Sequence, residues 1–173
     1  VTWSSFDPST GDGNIHVQRF DIGGIALGAE QVLSTASATD HQYTPEIAID
    51  DSGNVAVVWT SEFTDGDYGG IYMRRFNAGT GLWAPEVRIN DSGVGNQLQP
   101  SIAMQGGGEF AVVWRAWGVT PNWSISIQRF DAAGRAMALK VGGAGKDAQR
   151  GAAQRAGMQG GIGEHTDADG HVG

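Results

Sequence analysis

The chain has 173 residues, of which 28 are glycine and none is cysteine, and only 17% are charged. A formal net charge of −8 argues against a nucleic-acid-binding surface, and the lack of cysteine excludes disulfides, a thiolate nucleophile and a zinc–thiolate site. No apolar run approaches about 18 residues, so no membrane span is expected. Low charge with a glycine content well above the usual share of about 7% is typical of short strands joined by tight turns.

An internal repeat with a period of about 55 residues organises most of the chain, and periodicity of this kind is typical of repeat arrays and propellers. The same two aromatic positions return in each copy: Trp3, Trp59 and Trp114, and Phe20, Phe76 and Phe130. The segment Pro45-Glu-Ile-Ala returns as Pro100-Ser-Ile-Ala, and Val55-Ala-Val-Val returns as Phe110-Ala-Val-Val. The repeat is therefore the strongest structural signal in the sequence.

The complete repeat, residues 45–99, contains four short apolar runs separated by turn residues: 46–49, 55–60, 71–76 and 85–89. In the third run Ile71, Met73 and Arg75 alternate with residues of the opposite face, and this period of two predicts a strand rather than a helix. Four antiparallel strands in each repeat predict an all-β fold built from propeller-type blades. We expect a partial blade over 1–44, a full blade over 45–99 and a third blade over 100–141.

The repeated motifs also resemble a known group of sequences. The series Pro-x-Ile-Ala, Asp-x-x-Gly-Asn, Val-Val-Trp and (Gln/Arg)-Arg-Phe-(Asp/Asn) resembles β-propeller-type repeats of large secreted bacterial proteins. The resemblance covers residues 1–141 and implies a secreted or cell-surface repeat module. Because the matched positions are turn and core residues, the resemblance implies no catalytic residue.

The first repeat begins inside its second strand, at Val1-Thr2-Trp3. The chain then holds about two and three-quarter blades, fewer than the ~4 to 8 of a closed propeller. A partial ring leaves apolar faces and strand edges uncovered. Two explanations stay open: the chain is a piece of a longer protein, or it completes the ring as a homo-oligomer, most simply a dimer.

Three arginines and several acidic turns have a structural interpretation. The arginines Arg19, Arg75 and Arg129 recur with the repeat on the apolar face of their strand, so we expect them to tie neighbouring blades or turns together. The acidic turns, such as Asp50-Asp51-Ser52-Gly53, lack the spacing of an EF-hand, which favours turn geometry over calcium binding.

From residue 142 to residue 173 the sequence is a glycine-rich tail without aromatic residues. Its nonapeptides, beginning Gly142-Gly-Ala-Gly-Lys-Asp147, resemble the calcium-binding repeats of the repeats-in-toxin family, although Ala156 and His165 replace the metal-binding Asp in the next two copies. The candidate metal ligands are Asp147, His165, Asp167, Asp169 and His171. Carboxylates suit calcium and imidazoles suit zinc, nickel or copper, so these ligands indicate no single metal. Metal binding, a flexible glycine-rich tail with scattered His and Asp, and a segment foreign to the repeat are the three alternatives.

The resemblance to propellers implies a ligand-binding face formed by the loops between blades and between the second and third strands. On this chain that face carries Asp40, His41, Gln42, Asp65, Asp67, Asn96, Gln97, Trp117, Asn122 and Trp123. Exposed aromatic side chains there suit a sugar ring or a protein partner. The leading hypothesis is a non-catalytic module that self-assembles or binds carbohydrate or a surface protein.

A hydrolase acting on polysaccharide is the alternative hypothesis. Its paired carboxylates would come from Glu46, Glu62 and the loop aspartates Asp40, Asp65 and Asp67. The sequence contains no nucleophile elbow, phosphate-binding loop or zincin motif.

Overall fold

The computed structural model describes residues 1–9, 12–34, 41–62, 68–91, 95–117 and 123–138. Within these ranges the chain forms β-strands and no helix, which confirms the predicted all-β class; accordingly, no described helix is long and apolar enough to span a membrane. The strands are β1 (Thr2–Asp7), β2 (Asp12–Val17), β3 (Gln31–Val32), β4 (Gln42–Ile49), β5 (Val55–Glu62), β6 (Gly69–Asn77), β7 (Leu82–Trp83), β8 (Val87–Arg88), β9 (Asn96–Met104), β10 (Phe110–Trp117), β11 (Ser124–Phe130) and β12 (Ala136–Met137).

The strands form three antiparallel units that follow the sequence repeat. Unit 1 has the order β1-β2-β3, unit 2 has β4-β5-β6 with β7 and β8 both on the outer edge of β6, and unit 3 has β9-β10-β11-β12. The predicted fourth run, residues 85–89, contains β8, whereas β7 was not predicted. Its pairing is short, Phe76 with Trp83 and Asn77 with Leu82, so it leaves little periodic signal.

Neighbouring units touch through one parallel bridge at each junction, Gly13 with His41 and Gly69 with Asn96. A Cβ atom on Gly69 would lie 2.7 Å from Asn96 Oδ1 and 3.0 Å from the carbonyl oxygen of Gln97. A Cβ atom on Gly13 would lie 3.0 Å from the backbone nitrogen of Gln42. Both junctions therefore require glycine for close backbone approach.

The hydrophobic core lies between the units. One cluster joins units 1 and 2 and consists of Ile15, Val17, Leu33, Val55, Val57, Trp59, Tyr72 and Phe76. The other joins units 2 and 3 and consists of Ala56, Val58, Ile71, Met73, Ile89, Phe110, Val112, Trp114, Ala116 and Phe130. Because strand residues alternate between faces, β5 supplies Val57 to one cluster and Val58 to the other. Strand β5 thus buries both of its faces, and Trp59 and Trp114 each belong to one of the two clusters.

The repeated arginines reach from one unit to the next, as predicted. The Arg19 guanidinium carbon lies 3.9 Å from the ring centroid of Phe76 in unit 2. Arg75 Nη2 donates a hydrogen bond of 2.6 Å to the carbonyl oxygen of Ala132 in unit 3, and the same guanidinium faces the ring of Phe110. These contacts confirm that the two arginines tie neighbouring units together.

We predict that Gly69→Ala lowers the free energy of unfolding by about 2 kcal/mol, because the new methyl group overlaps backbone and side-chain atoms of the next unit. Gly23→Ala is the matched control, since a Cβ atom there meets only the Asp21 carboxylate, at 3.3 Å. Denaturant unfolding of both variants measures the difference. Equal stability of the two variants would show that the junction tolerates a side chain.

Candidate functional site

The predicted site residues divide into those that the structure describes and those outside it. Outside the described ranges are the loop residues Asp40, Asp65, Asp67 and Asn122 and all five candidate metal ligands, Asp147, His165, Asp167, Asp169 and His171. The described site residues are His41, Gln42, Asn96, Gln97, Trp117 and Trp123. The first four lie where β4 and β9 begin, and the two tryptophans flank the loop between β10 and β11.

Gln42 and Gln97 are interior residues that hold the repeated tryptophans. The indole Nε1–H of Trp59 donates to Gln42 Oε1 at 2.8 Å, and that of Trp114 donates to Gln97 Oε1 at 2.9 Å. Gln42 also donates from Nε2 to Ser61 Oγ at 2.7 Å. Both glutamine side chains are buried. This geometry gives both glutamines a structural role, as acceptors for the two buried indole N–H groups.

A bulge directly follows each of these glutamines. Thr44 and Gln99 have φ angles of 52° and 54°, in the left-handed region that non-glycine residues rarely occupy, and the strand register shifts at both positions. Buried Thr60 anchors both bulges, because its Oγ1 lies 3.0 Å from Thr44 Oγ1 and accepts a bond of 3.2 Å from the backbone N–H of Gln99. The bulges are thus built into the junction between units 2 and 3.

Trp117 and Trp123 form the exposed aromatic part of the loop end. Their ring centroids lie 5.5 Å apart, and the Arg115 guanidinium carbon lies 4.4 Å from the centroid of Trp123. Arg115 is itself fixed by a bond of 2.9 Å from Nη1 to Gln99 Oε1. The structure therefore brings together the two tryptophans proposed from sequence. A partly exposed aromatic pair with a fixed cation can stack on a sugar ring or on a partner side chain.

His41 lies at the other junction, beside a shallow groove lined by Ser5, Phe6, Tyr43 and Glu62. Its ring centroid is 6.0 Å from that of Phe6. The Tyr43 hydroxyl donates to Glu62 at 2.8 Å, and burial, together with this bond and the charge of Glu62, raises the pKa of Tyr43. The Glu62 carboxylate is thereby engaged with a tyrosine.

The sequence analysis did not predict a series of hydrogen-bonded side chains on the face of unit 1 that points away from unit 2. Ser5 Oγ lies 2.6 Å from His16 Nε2, His16 Nδ1 lies 2.6 Å from Glu30 Oε1, and the Trp3 ring stacks on His16. The order of groups matches a nucleophile, base and acid triad. The repeat gives a structural explanation for the position of His16. It occupies the position of Tyr72, which packs against the preceding unit, so His16 belongs to a face that packs against another unit. No sequence signal joins these residues, because their contacts are made across strands.

The acidic turn after β4 uses its carboxylate for turn geometry. Asp50 Oδ1 accepts from the backbone N–H groups of Ser52 and Asn54 at 2.9 and 2.8 Å, and Oδ2 accepts from Asn54 Nδ2 at 2.8 Å. These bonds, led by that from the Asn54 side chain, hold the pKa of Asp50 below its usual value of 3.8. Across the described ranges no group of three or more His, Asp or Glu residues is arranged to hold a metal ion.

Comparison with known proteins assigns no family. No protein-family profile matches the chain, and no curated protein matches it. A solved structure with which the chain aligns is a crystal structure of a mutant of the GH43 protein BlXynB from Bacillus licheniformis, at 11% sequence identity and a TM-score of 0.39. The alignment covers 76% of this chain and 29% of the length of that one.

We predict that Gln97→Leu lowers the free energy of unfolding by about 2 kcal/mol, because the buried Trp114 Nε1–H loses its acceptor. The double variant Gln97→Leu/Trp114→Phe removes the donor as well, so its cost should be smaller than the sum of the two single costs. Chemical denaturation of the four proteins measures this coupling. Strictly additive costs would contradict the structural role given to Gln97.

Acid stability gives a separate prediction about the Asp50 turn. Because the folded-state pKa of Asp50 is lowered, the ionised carboxylate stabilises the fold above its usual pKa, and this contribution is lost as the pH falls below about 4. In Asp50→Asn the unfolding free energy should therefore fall less steeply at acid pH. In Asn54→Ala, which removes one of the bonds to Asp50, the fall should also become less steep, but by a smaller amount. Denaturant titrations across this range test the assignment, which an unchanged acid profile in both variants would overturn.

Proposed function

We propose that this protein is a non-catalytic repeat module of a propeller type that assembles head to tail with further copies of itself. The observation that supports this function is a mismatch between repeat position and burial: positions that are buried at the internal junctions are exposed on the outer faces of units 1 and 3 among the described residues. The resemblance of the repeats to those of secreted bacterial proteins supports a place outside the cell or at its surface.

The first end surface is the β11 face, which consists of Val113, Ile125, Ile127 and Arg129. Ile125 is 72% exposed, whereas the residues at its position in units 1 and 2, Ile15 and Ile71, are both 0% exposed. Ile127 is 40% exposed, but its counterparts Val17 and Met73 are buried. The two isoleucine positions of the β11 face therefore belong to an inter-unit core that lacks its second half among the described residues.

The second end surface is the β1 face, which consists of Trp3, His16 and Phe20. Phe20 is 46% exposed, whereas its counterparts Phe76 and Phe130 are 3% and 4% exposed. Trp3 is partly exposed, while Trp59 at the same position is fully buried against unit 1. The β1 face thus presents the aromatic half of the same kind of core.

The two end faces complement each other because the internal junctions join the same pair of surfaces. In the molecule, Ile15 and Val17 of unit 1 pack in one cluster with Trp59 and Phe76 of unit 2. The β11 face of one copy can pack in this way on the β1 face of another, with Arg129 over Phe20 as Arg19 lies over Phe76. Such an unlike pairing closes into a ring or continues as a chain. Two copies supply about six units, within the range of ~4 to 8 blades in closed propellers.

We predict that the protein is oligomeric and that Ile127→Glu makes it monomeric, because the charge would be buried without a partner in the docked face. Leu82→Glu is the matched control, since Leu82 is 68% exposed on β7, away from both end faces. Size-exclusion chromatography with light scattering measures the mass of each protein. A monomeric parent chain, or an Ile127→Glu protein of unchanged mass, would contradict the assembly.

Carbohydrate binding at the loop end is the second candidate function, and the paired rings of Trp117 and Trp123 favour it. We expect a sugar ligand on a glycan array to lose at least about tenfold in affinity with Trp123→Ala, because stacking on that ring is removed. Trp83→Ala is a control in a tryptophan outside the loop. Equal binding by the parent and Trp123→Ala proteins would remove this site.

The hydrolase alternative and the tail's calcium site have no support from described contacts. Glu46 is exposed on β4, Glu62 is bonded to Tyr43, and the loop aspartates Asp40, Asp65 and Asp67 lie outside the described residues. Assembly through the end faces is therefore the function that the geometry supports best.

A further inference from the structure

A short outer strand covers the same part of the repeat in two units: β3 lies along β2 in unit 1, and β8 lies along β6 in unit 2. In unit 1, the segment containing β3 lies along β2, where the Leu33 N–H donates to the carbonyl oxygen of Ile15 at 2.7 Å. The Ile15 N–H donates in turn to Ser34 Oγ at 3.1 Å. The side chain of Leu33 is buried in the core between units. This covering segment is held by a backbone bond, a side-chain cap and an aliphatic anchor.

Unit 2 repeats the arrangement with different residues. The segment containing β8 lies along β6, and the Ile89 N–H donates to the carbonyl oxygen of Ile71 at 2.9 Å. The Ile71 N–H donates to Asn90 Oδ1 at 2.8 Å, and Ile89 is buried. The backbone bond, the polar cap and the aliphatic anchor are therefore properties of the repeat and not of one unit.

Unit 3 has the same strand edge without this cover in the part of the chain that is described. There β11 pairs with β12 at two positions, Arg129 with Met137 and Phe130 with Ala136. The rest of that edge, residues 124–128, lines a groove of about 420 Å³ whose other walls include Trp114 and Ala116. The open edge is continuous with the β11–β12 pairing, so an added strand would extend an existing interface.

The two covering segments share a sequence pattern that the third repeat lacks. They read Glu30-Gln-Val-Leu-Ser34 and Glu86-Val-Arg-Ile-Asn90, that is Glu-x-x-(Leu/Ile)-(Ser/Asn). The repeated phenylalanine pairs with Ala26 in unit 1, Trp83 in unit 2 and Ala136 in unit 3. The spacing from Ala26 to Leu33, or from Trp83 to Ile89, places the aliphatic position of the third repeat on Gly143 or Gly142. Glycine has no side chain to bury, so the third repeat carries no aliphatic residue at this position of the sequence.

We propose that the open edge of β11 is a peptide-binding site that accepts, by strand addition, an extended segment with the pattern Glu-x-x-(Leu/Ile)-(Ser/Asn). Backbone hydrogen bonds along β11 hold the segment, while the aliphatic anchor and the polar cap select its sequence. In units 1 and 2 the following unit buries the aliphatic anchor, so this site rests on the proposed head-to-tail assembly, in which a second copy covers the β11 face. An assembled protein that binds no peptide would overturn this site and leave the assembly standing.

A synthetic peptide taken from unit 2 tests the site directly. The probe is fluorescein-labelled Ala-Pro-Glu-Val-Arg-Ile-Asn-Asp, the sequence of residues 84–91. Fluorescence polarisation with the assembled parent chain, whose mass is first measured by light scattering, should show saturable binding. The same peptide with Ile89→Asp should bind at least about tenfold more weakly, because the buried anchor is lost. No saturable binding, or equal binding of both peptides, would overturn the proposal.

A backbone variant then locates the site on β11. By the repeat, the Ile125 N–H points away from β10, as that of Ile71 points to Asn90, so Ile125→Pro removes the donor for the cap while leaving the β10 pairing intact. Ile125→Val keeps the donor and is the matched control. The peptide should bind Ile125→Val and fail to bind Ile125→Pro; equal binding by the two would place the peptide elsewhere. If Ile125→Pro does not fold, a peptide with Asn90→Ala tests the cap, and unweakened binding of that peptide contradicts it.

Discussion

The burial of apolar sheet faces between neighbouring units is the constraint on which this structure depends. A single antiparallel unit has two faces, and β5 places apolar residues on both of them, so unit 2 requires a neighbour on each side. Burying a large aliphatic or aromatic side chain contributes about 1.5 to 3 kcal/mol, so a face left open gives up several such contributions. The exposed Ile125 and Phe20 mark where this arrangement stops within the described chain.

Polar contacts determine how neighbouring units are positioned, which apolar packing alone does not specify. The glutamine that receives each buried indole N–H sets the position of the first strand, and glycine at each junction lets the backbones meet. Arg19 and Arg75 then reach across the outer part of the same junctions. The β11 face and the β1 face carry the same kinds of residue as the two sides of an internal junction. The packing inside the molecule is therefore the basis of the proposed assembly between molecules.

The repeat predicted the all-β class, the long strands of unit 2 and the bridging Arg19 and Arg75, because those features are local or recur at a fixed period. The roles of Gln42 and Gln97 escaped, although their spacing matches that of Trp59 and Trp114, since polar residues near loops suit a ligand as well as an indole. The hydrogen-bonded side chains Ser5, His16 and Glu30 come from three segments, so they leave no local sequence pattern. Of the candidate site, sequence reasoning placed the pair Trp117 and Trp123 together, as the structure does.

A mixing experiment tests the central claim, head-to-tail pairing of unlike end faces, most directly. Ile127→Glu blocks the β11 face and Trp3→Glu blocks the β1 face, so each variant alone should be a folded monomer. Mixed in equal amounts, they retain one intact face of each kind and should form a one-to-one dimer by light scattering. A mixture that stays monomeric, or a single variant that still assembles alone, would contradict the account.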